Sequence, residues 1–226
     1  MGEVITLFTF KINGMTFKFT INVIIQWIII ALITIVCIIL TRNLKKVPGK
    51  TQTIAEMLVG GVNGLIKSNL GESYVGLAPY VGGLIIFLIT MNFTGLVGIK
   101  APTADYSVAL GMALTTFIVI QWYAIKKIGL LHYFTAFAKP APFLLPINII
   151  ERFLLPVSLS LRLFGNMTAG AVIVELMYKW LGSYGHLAQL GLPLIAHGYF
   201  DLFDGAIQMI VFMMLSIINL KVIAEH

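Results

Sequence analysis

The sequence predicts an all-α polytopic membrane protein with five membrane-crossing helices and one interfacial amphipathic helix. The first observation is composition: 59% of the 226 residues are hydrophobic and only 11% are charged, whereas a soluble domain is nearer half apolar and a quarter charged. The second is that five apolar runs are long enough to cross a hydrocarbon core about 30 Å thick. The third is that basic residues cluster beside these runs, which membrane topology explains without nucleic-acid binding.

The five predicted crossings form one membrane domain, 1–226, and the positive-inside rule orients them. Basic residues follow the first run at Arg42–Lys50 and the third run at Lys126 and Lys127, so these ends are expected in the cytoplasm. The N-terminal segment 1–20 is then outside and the C-terminus inside. The predicted crossings are residues 21–40, 74–97, 106–125, 147–180 and 190–223.

Residues 51–70 have a different pattern. Their apolar residues recur at helical spacing, while Glu56 and Lys67 lie on the other faces. Thr53 followed three residues later by Glu56 matches a helix capping box. The pattern therefore predicts an amphipathic helix that lies at the cytoplasmic interface rather than a crossing.

The last two crossings are unusually long. Residues 147–180 would measure about 50 Å as an upright helix, well beyond a hydrocarbon core of about 30 Å, and residues 190–223 are similar. Helices of this length fit by tilting or bending. Two oblique neighbours would offer a broad lateral surface to a partner.

Arg162 stands alone inside the apolar stretch 156–170, which reads PVSLSLRLFGNMTAG. The nearest other charges, Arg152 and Glu175, are ten and thirteen residues away. A cation at mid-membrane costs on the order of 2.5–3.5 kcal/mol, so Arg162 is expected to face protein or water and to mark an ion or substrate pathway. The alternative is an arginine near a helix end that extends to the interface. Asn166 follows at the spacing that puts two side chains on one helix face.

A second polar group lies in the last crossing. In a regular α-helix, His197, Asp201, Asp204 and Gln208 would fall within about 60° of one another. Such a stripe in a membrane helix indicates a hydrated cavity or a proton relay, and the alternative is an interfacial helix end. Glu175, on the preceding long helix, is a further candidate for the same cavity.

The sequence predicts no cofactor. Cys37 is the single cysteine and lies in the first apolar run, so no disulfide framework or cysteine metal site is expected. The chain contains no phosphate-binding loop, dinucleotide fingerprint or metal-ligand cluster.

The stretch 156–170 closely resembles the signature of subunit a of the F-type ATP synthases. Three further segments resemble that family in the same order: PTADYSVALGMAL (Pro102–Leu114), LLPINIIERF (Leu144–Phe153) and IQMIVFMMLSIINL (Ile207–Leu220). The matches span most of residues 75–222, whereas the N-terminal third agrees only in layout.

The resemblance implies a non-catalytic stator subunit in a bacterial plasma membrane. In this family, the arginine corresponding to Arg162 faces a rotating ring of c subunits, and two aqueous half-channels carry H⁺ or Na⁺ to and from the ring carboxylates. The arginine favours an ionised carboxylate and stays charged itself, so it prevents a direct leak between the half-channels. The implied partners are the c-subunit ring, the b-subunit peripheral stalk, the rest of the ATP synthase and the lipid bilayer. The choice between H⁺ and Na⁺ stays open.

By position, four residues match polar channel positions of the family: Asn166, Asp201, Gln208 and, in the outer loop, Asp105. Ala171 stands where the family often has a glutamate. Glu175, one turn further on the same face, is our candidate for the missing carboxylate. Asp204 is expected to line the outer half-channel with Asp201.

Two other functions stay open at this point. A secondary ion transporter or channel that works alone would account for Arg162 and the acidic stripe, but not for the ordered motif matches. It would carry flux when purified alone. A purely structural membrane scaffold would tolerate the loss of Arg162.

Overall fold

The computed structural model describes residues 6–12, 15–130, 133, 135, 143, 145–182 and 188–225. Its described helices are α1 (Ile21–Thr41), α2 (Lys50–Leu70), α3 (Ala78–Asn92), α4 (Tyr106–Ile128), α5 (Leu145–Gly182), α6 (Ala188–His197) and α7 (Gly205–Glu225). A π-helix (Gly198–Asp204) joins α6 to α7, and short 3-10 helices cover Glu72–Leu77, Phe93–Val97 and Pro102–Ala104.

Five of the described helical stretches are long and apolar enough to cross a membrane: Ile21–Thr41, Glu72–Val97, Tyr106–Ile128, Leu145–Gly182 and Gly191–Ile223. This confirms the predicted all-α polytopic membrane fold. The last two stretches have 38 and 33 residues, so an upright α5 would measure about 57 Å. Both are therefore long enough to require tilting or bending.

A β-hairpin precedes the helices and was not predicted. Strands β1 (Thr6–Ile12) and β2 (Met15–Thr20) pair antiparallel, with a register irregularity between Thr6 and Phe8. The sequence analysis had assigned 1–20 only as an extramembrane segment, and residues 1–5, 13 and 14 of it lie outside the described residues. The hairpin is a small addition outside the five crossing stretches.

Helix α1 packs only lightly on the rest of the protein. Ile29 is its one buried residue, and it contacts Met91 of α3 and Val108 of α4. Large apolar side chains such as Trp27 and Ile39 are exposed. An apolar helix with so little protein contact is suited to a lipid environment, where exposed hydrocarbon carries no penalty.

The core lies where α3, α4, α5 and α7 meet. Leu88, Ala109, Leu163 and Phe212 are buried together there, one from each of these helices. Ala109 and Ala113 of α4 are fully buried. Small residues at a contact allow membrane helices to approach closely, which increases their van der Waals packing.

Helix α2 joins this core along one edge and leaves an apolar strip open. Ile66 is fully buried against α3 and α7, where it belongs to a cluster with Val81 and Ile217. Ile54 and Met57 of the same helix stay exposed. This division is as expected for an amphipathic helix at a membrane surface.

Asn92 connects three separate parts of the chain through hydrogen bonds. Its amide Nδ2 donates to the Gly205 carbonyl over 2.9 Å, and its Oδ1 accepts from Thr103 Oγ1 over 3.0 Å. Both Asn92 and Thr103 are fully buried. A Cβ atom at Gly205 would lie 3.1 Å from Asn92 Cβ, so a side chain at residue 205 would crowd this contact.

The segment Pro102–Asp105 anchors several helices at the same end of the protein. Asp105 caps α4 by accepting from Ser107 N over 3.0 Å, and its second oxygen accepts from Asn22 Nδ2 at 3.2 Å. Thr168 of α5 donates to the Ala104 carbonyl over 3.3 Å. The segment therefore links α1, α4 and α5, and through Thr103 and Asn92 it also reaches the start of α7.

We expect Asn92→Ala to destabilise the protein, because the buried Thr103 hydroxyl would lose its acceptor and the Gly205 carbonyl one of its donors. An unsatisfied buried polar group costs about 1–3 kcal/mol. The test is the midpoint temperature of thermal unfolding of the detergent-solubilised protein, which should fall. Thr90→Ala is the control, since the Thr90 hydroxyl bonds only to Ile86 of its own helix and should change the midpoint little. Equal midpoints for the two variants would contradict the role of Asn92.

Candidate functional site

A cavity of about 460 Å³ lies between α5, the junction of α6 with the π-helix, and residues 95–101 after α3. Four of the predicted site residues line it: Asn166, Glu175, His197 and Asp201. Three further charged or polar side chains line it that the sequence analysis had not assigned to a site: Lys100, Tyr178 and Lys179. The structure thus brings half of the eight predicted site residues together.

His197 and Asp201 form the closest pair in this cavity. Nδ1 of His197 lies 2.5 Å from Oδ2 of Asp201, and the two side chains are 25% and 19% exposed. His197 ends α6 and Asp201 lies in the π-helix that follows. The ring of Tyr178 lies 5.8 Å from the His197 ring, so α5 approaches the pair at this point.

Asp201 rests directly against the backbone at Gly95. A Cβ atom at residue 95 would lie 2.5 Å from Asp201 Oδ1, closer than real Cβ atoms come to any neighbour. Only glycine fits there without displacing the carboxylate. Sequence reasoning missed Gly95, because its importance depends on a contact 106 positions along the chain.

Glu175 is the second carboxylate of the cavity and is also paired. Its Oε1 accepts from Lys179 Nζ over 2.7 Å, and both side chains are more than half exposed. The pair has i,i+4 spacing, which places the two side chains side by side on one helix face. Sequence reasoning could have found Lys179 from this spacing.

The predicted stripe on the last crossing is divided by the π-helix. Asp204 and Gln208 do not line the cavity. Gln208 is buried, and Asp204, four residues before it, is half-buried. The estimate of 60° assumed 100° per residue throughout, whereas a π-helix bonds i to i+5 and turns less per residue. The stripe therefore becomes two separate pairs.

Arg162 lies on a face of α5 that the rest of the described chain leaves uncovered. We call this the open face, and its exposed residues around Arg162 are Leu154, Ser158, Leu161, Gly165 and Ala169. Within the part of the chain that the structure describes, Arg162 makes no hydrogen bond or ion pair. Asn166, one turn further along α5, is exposed on this face and also lines the cavity.

Asp105 lies away from these residues. Besides capping α4, it lines a different cavity of about 720 Å³ between α1, α3 and α4. Its contacts with Ser107 and Asn22 are those of an anchor between helices. The structure therefore does not bring Asp105 together with Asp201.

Comparisons with known proteins agree with this architecture. A family model described as ATP synthase A chain matches residues 23–221. The chain is 35% identical over 192 residues to ATP synthase subunit a of Moorella thermoacetica, which covers 84% of each protein. It is 34% identical to ATP synthase subunit a of Staphylococcus carnosus, with 96% of this chain and 97% of the relative covered.

A further relative is named for its ion specificity. It is the sodium ion specific ATP synthase subunit a of Propionigenium modestum, 31% identical over 91% of this chain and 74% of the relative. With these relatives and a family model that spans most of its length, this chain belongs to the ATP synthase A chain family and is a membrane-sector subunit of bacterial type.

Proposed function

We propose that this chain is the stator channel of its ATP synthase. Two aqueous half-channels pass H⁺ or Na⁺ to and from the carboxylates of a rotating c-subunit ring, and Arg162 prevents a direct leak between them. The observation that carries the proposal is the position of Arg162. It is exposed on the open face without a partner in the described chain, one turn from a residue that lines the cavity.

An unpaired guanidinium in a membrane-spanning helix requires an anion or water beside it, since an isolated charge in hydrocarbon is costly. The two carboxylates that line the cavity beside α5 are already engaged with Lys179 and His197. A carboxylate on another subunit satisfies the requirement. Next to Arg162 that carboxylate stays ionised, because an opposite charge within about 4–6 Å stabilises its charged form.

The open face is also suited in shape to a neighbouring helix. Gly165 and Ala169 lie one and two turns from Arg162, and a Cβ atom at Gly165 would meet nothing within 4 Å. Small residues let membrane helices approach closely. We assign this face to the c-subunit ring, and the b-subunit peripheral stalk and the remaining ATP synthase subunits complete the assembly.

The cavity lined by Asn166, Glu175 and Asp201 serves as the outer half-channel. Lys100 lies at its edge in the loop after α3, and the positive-inside rule places that loop outside the membrane. Ions enter here and reach the open face near Asn166. In this orientation the N-terminus is outside, the C-terminus is cytoplasmic, and the protein lies in a bacterial plasma membrane.

Arg162→Ala is expected to reduce ATP-driven ion uptake to background in membrane vesicles that carry the whole complex. The variant loses the charge that keeps the ring carboxylate ionised at the stator. Uptake is measured alongside the amount of assembled complex. Arg42→Ala, which removes an exposed arginine at the end of α1, should pump normally. If the Arg162→Ala complex took up ions at the wild-type rate, Arg162 would not have the role proposed for it.

Gly95→Ala is expected to slow ATP-driven uptake severalfold without preventing assembly, because the new Cβ atom displaces the Asp201 carboxylate from its place in the cavity. Gly83→Ala is the matched control, since a Cβ atom at Gly83 meets nothing within 4 Å. Equal rates in the two variants would argue against Asp201 in the pathway.

Glu175→Gln tests whether Glu175 supplies the carboxylate absent at Ala171. We expect slower uptake, because the amide cannot exchange an ion with the cavity. Glu72→Gln is the control, as Glu72 is also an exposed carboxylate paired with a lysine, Lys67, at 3.1 Å. Unchanged flux in Glu175→Gln would remove Glu175 from the half-channel.

A further inference from the structure

We propose that the junction between α1 and α2 binds anionic phospholipids, with the lipid phosphate at the connecting loop and the acyl chains along the exposed apolar side chains beside it. We call this surface the basic corner, and its basic residues are Arg42, Lys45, Lys46 and Lys50. None of these residues lines the cavity. The inference therefore goes beyond the proposed function and does not depend on the path of the ion.

The basic corner has an excess of unpaired positive charge. All four basic residues are exposed, and within the described part of the chain none of them forms an ion pair. The one acidic residue of the segment 42–58 is Glu56, whose Oε1 accepts from Gln52 Nε2 over 2.8 Å. Four basic residues against one acidic residue leave a net charge of +3. A basic cluster directly beside a membrane-spanning helix attracts anionic lipids.

Gln52 holds the loop of the basic corner against α2. Its Oε1 accepts from the backbone N–H of Lys45 over 3.0 Å, and its Nε2 donates to the Lys45 carbonyl over 2.9 Å. One residue further on, Thr53 Oγ1 donates to the Gly49 carbonyl over 3.1 Å. The basic side chains are thus attached to a loop that hydrogen bonds fix in place. A loop that is already ordered loses less conformational freedom when a ligand binds.

Exposed apolar side chains lie beside the same charges. Leu44 and Val47 flank the two lysines of the loop and are 62% and 83% exposed. Ile54 and Leu58 are also exposed, and they follow Lys50 by four and eight residues, so the three side chains share one side of α2. A lipid interface suits this mixture, because apolar side chains enter the acyl region while lysines extend to the phosphates.

The end of α1 continues this apolar surface toward the hydrocarbon. Ile38 and Ile39 are exposed near the end of the helix, and Arg42 follows its last residue directly. An acyl chain that lies along α1 would therefore have its phosphate at the basic corner. This continuity favours a lipid over a free phosphate ion or a soluble acidic peptide, since neither of these requires an apolar surface next to its charge.

The lipid is identified with the whole complex in phosphatidylcholine vesicles. These contain a trace of photoactivatable phosphatidylglycerol or photoactivatable phosphatidylcholine, with the reactive group near the ester end of one acyl chain. After illumination, labelling of residues 42–58 is quantified by mass spectrometry. We expect at least about 5-fold more labelling by the phosphatidylglycerol probe, given the attraction of each basic residue to anionic lipid. Equal labelling by the two probes would overturn the inference. No labelling by either probe, the result expected if another subunit covers this surface, would also overturn it.

Variants test whether the charges and their fixed loop are both needed. Combined Lys45→Gln and Lys46→Gln should remove about half or more of the phosphatidylglycerol preference. The matched control is Lys126→Gln with Lys127→Gln, which removes two charges at the end of α4 and should leave the preference unchanged. An equal loss in the control would mean that overall charge, not the basic corner, selects the lipid.

Gln52→Ala keeps every charge and removes the two hydrogen bonds to Lys45. We expect a smaller preference for phosphatidylglycerol than in the wild type, because the loop is no longer held against α2. Labelling is measured on assembled complexes in the same vesicles. A wild-type preference in Gln52→Ala would overturn the role of the fixed loop.

Discussion

The rest of this structure depends on the cost of placing charge in a membrane. Hydrocarbon offers no water to a polar group, so every charge in a crossing helix needs a partner or a hydrated cavity. Glu175 and Asp201 meet this requirement within the chain, through Lys179 and His197. Arg162 does not, since the described chain provides it with no partner. The charges of the cavity are therefore paired within the chain, whereas Arg162 on the open face of α5 has no partner among the described residues.

The segment Pro102–Asp105 stabilises the elements around the cavity, although Thr103, Ala104 and Asp105 do not line it. Thr103 positions Asn92, and Asn92 holds the Gly205 carbonyl just after the π-helix. That hydrogen bond fixes the end of the irregular segment that presents Asp201 to Gly95. A π-helix is uncommon and tends to occur at functional sites, and here its rotation decides which carboxylate faces the cavity. Asp201 lines the cavity, whereas Asp204 does not.

The sequence predicted the five crossings because hydrophobic length and composition are sufficient to identify them. Only two of the four residues of the predicted stripe on the last crossing line the cavity. The composition of Gly198–Asp204 does not predict the π-helix that separates them from the other two. The hairpin had a signal in the sequence, where the alternating residues of β1 and β2 are separated by an Asn-Gly pair, which is typical of two-residue hairpin loops. Gly95 had none, because its role comes from a tertiary contact. Features that depend on local sequence patterns could thus be predicted, whereas contacts between distant segments could not.

The separation of the cavity from Arg162 has an energetic consequence under the proposed function. Glu175 lies thirteen residues from Arg162 along α5, about 20 Å of helix rise, with Asn166 between them. A water-filled cavity that reaches Asn166 carries little of the membrane potential, because the potential falls mainly across regions of low dielectric. The electrical free energy of moving an ion across the membrane, about 2.3 kcal/mol per unit charge per 100 mV, is then concentrated near Arg162. Under this proposal, the entry of the ion and the use of the electric field occur at different levels of the same helix.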